Sequence, residues 1–152
     1  MAPGTPHALL RGMRPLAVSE LMTAGVVTVP DDATLSNVDW EMALADVRHV
    51  PVVDGKGCLC GIVSDRDLLR SMNRAHRGQV PVSKVMTVDV LTARPETPAR
   101  DALEVLLGRK VSALVVVDDA RHPVGIVTAT DFLDLAFRAL NGLPIDAPHA
   151  EA

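Results

Sequence analysis

Aromatic side chains are almost missing from this sequence. It has no Tyr, two Phe and a single Trp, Trp40. Its core must therefore be assembled from Val, Leu, Ile, Met and Ala, and a stacking platform for single-stranded nucleic acid is not available. Cations are in deficit: 15 Lys and Arg against 19 Asp and Glu leave a net charge of −4. That argues against nucleic acid or an anionic membrane as the main partner. No apolar run approaches the roughly 18 residues of a membrane span. Ala8-Leu9-Leu10 is too short for a signal-peptide core, so the expected compartment is the cytoplasm. Cys58 and Cys60 are the only cysteines, too few for a disulfide framework. At least one of them is expected to be a small apolar filler. What remains is ordinary globular material, 152 residues of which 48% are hydrophobic. That is enough for one compact domain or two small halves sharing a core.

The chain repeats itself at an offset of 64. Met22-Thr23 returns as Met86-Thr87, and Val52-Val53-Asp54 as Val116-Val117-Asp118. Gly61-Ile62-Val63 returns as Gly125-Ile126-Val127, and Asp67 as Asp131, with no gap anywhere. A period of this length marks a repeated supersecondary unit. Pro and Gly make residues 1–15 read as a loose arm. The first copy runs over 16–77, the join over 78–81 and the second copy over 82–140. Residues 141–152, with Asn141-Gly142, Pro144 and Pro148, read as a fraying tail.

Each copy reads as β-α-β-β-α. Val26 to Val29 and Val90 to Ala93 are β-branched runs expected to be strands. Leu35, Val38, Met42 and Ala45 fall on one helix face, as do Ala99, Ala102, Leu103, Leu106 and Leu107. Pro98 suits the first helical position. Val50–Val53 and Leu59–Val63, joined by Asp54-Gly55-Lys56-Gly57, should form an antiparallel hairpin, as should 111–117 and 124–127. Ser64 caps a helix bearing Leu68, Leu69 and Met72, and the last helix spans 131–140. One copy has too little core to stand alone. The expected architecture is an α/β fold, layered as α+β, of two repeats about a pseudo-twofold axis with related clefts between them.

The spans Gly61-Ile62-Val63-Ser64-Asp65-Arg66-Asp67 and Gly125-Ile126-Val127-Thr128-Ala129-Thr130-Asp131 close the two copies. Ser-x-x-Asp and Thr-x-x-Asp fit capping boxes, and the Gly fits close backbone packing. They also suit a nucleotide. A hydroxyl beside helix N–H groups accepts phosphate, and an Asp one turn on accepts two hydrogen bonds from ribose hydroxyls. Both readings stand at this level.

Together with the Met-Thr openings and Val50-Pro51-Val52-Val53-Asp54, these residues make the chain resemble a tandem pair of CBS domains, or Bateman module, over roughly residues 16–138. The resemblance implies a regulatory, non-catalytic sensor of AMP, ADP, ATP, S-adenosylmethionine or NAD. It implies a homodimer and an effector protein that responds. It places one ligand cleft at Thr28, His49, Val50, Pro51, Ser64, Arg66 and Asp67. The other falls at Thr92, Ala113, Leu114, Val115, Thr128 and Asp131. The alternative is an interaction or structural module whose clefts have degenerated. The second copy departs from the pattern. Ala113 stands opposite His49, Val115 opposite Pro51, and Thr130 opposite Arg66. The second cleft is therefore expected to lack a local cation and to bind more weakly, unless Arg109 or Lys110 compensates. The first should favour more highly charged ligands.

Three other features stand out. Arg66, Arg70, Arg74 and Arg77 recur at helical spacing, giving a solvated face, a phosphate funnel or a docking stripe. Cys58 and Cys60 with a His match no zinc spacing, and no nucleophile elbow precedes Ser64, so no metal site or enzyme is expected. Trp40, matched by Glu104, is a candidate interface residue.

Overall fold

The computed structural model describes residues 15–71 and 78–145 of the chain. The first repeat contributes β1 (Thr23–Ala24), β2 (Val29–Pro30), α1 (Leu35–Ala45), β3 (His49–Val53), β4 (Leu59–Ser64) and α2 (Asp65–Arg70). The second contributes β5 (Thr92–Ala93), α3 (Ala99–Arg109), β6 (Ala113–Val117), β7 (Pro123–Thr128) and α4 (Ala129–Leu140). The α1/α3, β3/β6 and β4/β7 pairs start and end 64 residues apart. So do the left-handed residues that stop α1 and α3, Asp46 and Lys110. Pro98 sits at the N-cap, one place before the expected position.

Each repeat centres on an antiparallel hairpin, β3 with β4 and β6 with β7, each bent by an irregularity, at Val52/Val53 and at Val116/Val117. A short parallel strand flanks each hairpin, β2 on β3 and β5 on β6. These flanking strands are shorter than the β-branched runs suggest. Gly25, at φ 67°, turns the chain after β1, and residues 26–28 make no ladder. Val26 and Val27 face a cavity instead.

The repeats exchange their lead-in segments. β1 precedes the first hairpin yet pairs antiparallel with β7 of the second, Thr23 opposite Ile126. In return Thr87 bridges Ile62 of β4, with N–H···O bonds of 3.0 and 2.9 Å. Ala17 bridges Pro98, and Thr34 bridges Pro81, again 64 residues apart on both sides. The cores follow the exchange. Val18 and Leu21 are buried with Ala99, Ala102, Leu106, Leu114, Val116 and Val127 of the second repeat. Val82 is buried among Leu35, Val38, Met42, Val50, Val52 and Val63 of the first. A third cluster, Leu59 with Val115 and Val117, joins the two hairpins.

This packing explains the repeated glycine. A Cβ on Gly125 would lie 3.1 Å from Met22 Cγ and 3.0 Å from the Thr23 carbonyl oxygen. One on Gly61 would lie 2.8 Å from Met86 Cγ. Each Met-Thr opening is the part that lies over the other repeat's glycine. The helical stripes are narrower than expected. Leu35, Val38 and Met42 are buried on α1, and Ala99, Ala102 and Leu106 on α3. Leu107 is 71% exposed, because one step along a helix rotates a side chain about 100° off the stripe. Leu69 also faces outward.

Candidate functional site

The hydroxyl-x-x-acid motifs form capping boxes. Ser64 N–H and Ser64 Oγ–H donate to Asp67 Oδ2 at 2.8 and 2.9 Å, and Asp67 N–H donates back to Ser64 Oγ at 3.2 Å. Thr128 N–H and Oγ1–H donate to Asp131 Oδ2 at 2.7 and 3.3 Å. These bonds hold the first turns of α2 and α4 and fix where the hydroxyls point. Both repeats aim that corner at the space between them.

A cavity of about 780 Å³ opens there. Ser64, Asp65 and Arg66 at the start of α2 line it, together with Arg48 and His49 at the start of β3. From the second repeat come Ser112, Thr128, Ala129, Thr130 and Asp131, and the turn after β1 adds Gly25, Val26 and Val27. The two expected ligand sets are therefore partly merged. His49, Ser64 and Arg66 of the first set share one cavity with Thr128 and Asp131 of the second. Thr28, Asp67, Thr92 and Ala113 lie outside its lining. So do Val50, Pro51, Leu114 and Val115, whose side chains are buried in the protein. Alternating strand residues point to opposite faces, and these four are taken up by packing. Arg48, Ser112, Val26 and Val27 line the cavity without having been expected to. Gly25 ahead of the β-branched run was the one legible sign for the two valines.

His49 Nε2 and Ser112 Oγ are 3.0 Å apart, a hydrogen bond that joins the two repeats at the cavity wall. Burial holds the His49 pKa below its ordinary value. Asp65 and Asp67 pull it up, and Arg48 and Arg66 push it down. At the far tips of the hairpins, backbone N–H groups of Lys56 and Cys58 stabilise the Asp54 carboxylate, and those of His122 and Ala120 stabilise Asp118. Both acids are shifted down. Cys60 packs on the first core and its thiol pKa is pushed up by burial, as suits a small apolar filler. Of the arginine stripe, Arg66 and Arg70 are exposed, whereas Arg74 and Arg77, with His76 and Met72, lie outside the described residues. Among the described residues no three His, Cys, Asp or Glu side chains gather as a metal set. No helix among them is long and apolar enough to cross a membrane.

Known proteins share this arrangement. The CBS domain model matches residues 18–74 and again 82–138. The CBS domain-containing protein YhcV of Bacillus subtilis is 33% identical over 116 residues, 76% of this chain and 81% of that one. The CBS domain pair of protein MJ0100, solved in complex with 5′-methylthioadenosine and S-adenosyl-L-methionine, superposes with a TM-score of 0.73. Its identity is 25%, over 80% of this chain and 99% of that one. CBSX2 in complex with AMP gives a TM-score of 0.69 at 27% identity, over 80% and 96% of the two chains. Longer relatives match too. The chain spans 23% of the homoserine O-acetyltransferase of Methanocorpusculum labreanum, at 30% identity over 117 residues. Two model matches in tandem, at the spacing of the internal repeat and on the interlocked hairpins described above, place the chain in the CBS domain family as a CBS pair, a regulatory and non-catalytic type of module.

Proposed function

We propose that the protein is a regulatory module that binds an adenosine-containing ligand between its two repeats and passes the bound state to a partner protein. The observation that carries this reading is the 780 Å³ cavity walled jointly by both repeats and lined by Ser64, Thr128, Asp131 and two arginines. That volume is typical of a small-molecule site. The relatives solved with AMP and with S-adenosyl-L-methionine support the ligand class. A ligand touching both repeats acts on their relative packing, and its influence equals its difference in affinity between the two arrangements. The reading places the module in the cytoplasm, where such nucleotides are held.

A second reading has one observation in its favour. Asp67 and Asp131 already hold their own helix starts, so an interaction module with non-binding clefts would keep them as well. A thermal-shift panel with AMP, ADP, ATP, S-adenosylmethionine and NAD separates the two. A ligand at 100 times its Kd should stabilise the protein by about 2.7 kcal/mol. Asp131→Ala and Asp67→Ala should each lower the ligand-free stability by about 1 kcal/mol through the lost cap. Asp131→Ala should in addition abolish the ligand-dependent increment. If no adenosine compound moves the wild-type transition, the interaction reading replaces this one.

The proposal extends to a homodimer. Trp40 and Leu44, one turn apart on α1, are 68% and 72% exposed, and Leu133 and Phe137 on α4 are 69% and 60% exposed. Side chains of this size are seldom left in water together. Trp40→Ala should reduce the mass seen by multi-angle light scattering toward that of one chain. An unchanged dimer would remove Trp40 from the interface.

A further inference from the structure

The chain divides after Thr87 into two parts that complete each other. The part up to Thr87 holds all the buried residues of the first core, Val82 included. It also holds what the second core borrows, the buried Val18 and Leu21 and the β1 strand that lies on β7. Hydrogen bonds run along the seam between the parts. Val18 N–H donates to the Thr97 carbonyl at 2.8 Å, Ala99 N–H to the Leu16 carbonyl at 2.7 Å, and Leu59 N–H to the Arg121 carbonyl at 2.9 Å. Leu59 is buried with Val115 and Val117. Each of these contacts joins a residue before Thr87 to one after Asp89. A second copy of the chain presents the same surfaces, so it can supply either part with none of them lost.

The link between the parts is short. Thr87 is fixed to Ile62 by two hydrogen bonds, and the Leu91 carbonyl accepts one from Val115 N–H at 3.3 Å. Between them the chain bends at Val88 and Asp89, and Val90 N–H donates to the Val88 carbonyl at 3.0 Å, an i to i+2 turn. The equivalent place in the first repeat, 64 residues earlier, is Ala24-Gly25-Val26. There Gly25 makes the turn at φ 67°, a conformation that glycine adopts freely. Asp89 stands in its place and does not take that conformation. Val88 and Val90 are β-branched and favour extended backbone. Val88 is also 66% exposed, so packing holds it only loosely in the bend. A short link bent against its own preference, between two parts that fit each other closely, is the arrangement that favours opening the link into a neighbouring copy.

We infer that two copies of this chain exchange parts at Val88–Asp89, giving a closed twofold dimer. The seam is then built twice, each time between the part up to Thr87 of one copy and the part from Val90 of the other. The exchange reaches the cavity, whose lining comes from both sides of the hinge. Arg48, His49 and Ser64 precede it, and Ser112, Thr128 and Thr130 follow it. Each cavity of the exchanged dimer therefore takes one wall from each copy, whichever molecule fills it. The exposed faces of α1 and α4 are not part of the seam, so this dimer is distinct from the one proposed through Trp40.

Ala120→Cys in the full chain tests it. Cys58 Sγ lies 3.5 Å from the Ala120 carbonyl oxygen, across the seam at the hairpin tips, so the new thiol arises beside a native one. Ala120 is exposed, so folding should survive the substitution. The variant is unfolded in urea, refolded at a series of protein concentrations and oxidised. The bridge from Cys58 to position 120 is then located by non-reducing electrophoresis and peptide mapping. A closed chain forms that bridge within itself, and so does a dimer made through α1 and α4. An exchanged dimer forms it between chains. The expected result is a covalent dimer whose fraction rises with refolding concentration, because exchange is bimolecular and closure is not. Val88→Gly combined with Asp89→Gly removes the extended preference of the hinge and should lower that fraction at least about threefold. A short bis-maleimide, run in parallel, reads the same topology without the geometry a disulfide demands. Bridges confined to single chains at every concentration overturn the inference, and so does a dimer fraction that the two glycines leave unchanged.

Discussion

His49 joins the two repeats at the cavity wall. Its hydrogen bond to Ser112 crosses from one repeat to the other, and burial disfavours its protonated form. Because the folded-state pKa lies below the ordinary value of 6.5, the unfolded chain takes up its proton first as pH falls. The stability that neutral His49 contributes is therefore complete above 6.5. It is lost as pH falls through that value toward the folded one. Asp65 and Asp67 limit the effect, while Arg48 and Arg66 enlarge it. The urea midpoint should fall between about pH 7.5 and about pH 5.5, and His49→Gln should flatten the fall. An identical slope in that variant would move the pH response to another group. The resemblance to CBS pairs placed His49 in the first ligand set. Its partner was invisible there, because Ser112 is 63 residues away and matches no motif.

Among the elements, the hairpins and helices were legible because each has its own local signal. Period-3.6 stripes mark α1 and α3, and Gly-rich turns mark the hairpin. The flanking strands were less so. A β-branched run states that the backbone prefers to be extended, but pairing needs a neighbour, and residues 26–28 have none in a ladder. Gly61 inside β4 and Gly125 inside β7 make the same point from the packing side. Their need is set by Met22 and Met86, which arrive from the other repeat. Gly61→Ala meets only side-chain atoms of Met86, down to its Cβ at 3.2 Å, whereas Gly125→Ala also meets the fixed Thr23 carbonyl at 3.0 Å. Overpacking of this kind costs about 1–3 kcal/mol. Gly125→Ala should be the more destabilising of the two in urea denaturation. Trimming Met86 to Ala should rescue Gly61→Ala more fully than trimming Met22 rescues Gly125→Ala. Equal losses and equal rescue would mean that the Thr23 backbone yields as readily as a side chain.

At the scale of the whole molecule, the exchange of lead-in segments makes the repeats one folding unit. Val18 and Leu21 complete the second core and Val82 the first, so neither repeat encloses a full core from its own contiguous residues. A fragment covering residues 16–77 should show no cooperative transition, while the full chain should unfold in one step by circular dichroism and by hydrogen exchange. Two separate steps in the full chain would show that the cores are independent. The internal period and the β-α-β-β-α order were determined by the sequence itself, because repetition and local periodicity are written along the chain, and the family was legible through the motifs that resemble it. Tertiary structure alone decided that the opening of one repeat packs in the other, and that hydroxyls and acid from the second repeat face arginines from the first. Those contacts join residues far apart in the chain, from 25 positions for Ile62 and Thr87 to 103 for Thr23 and Ile126, and a side chain's environment there depends on which backbones meet rather than on its neighbours in sequence.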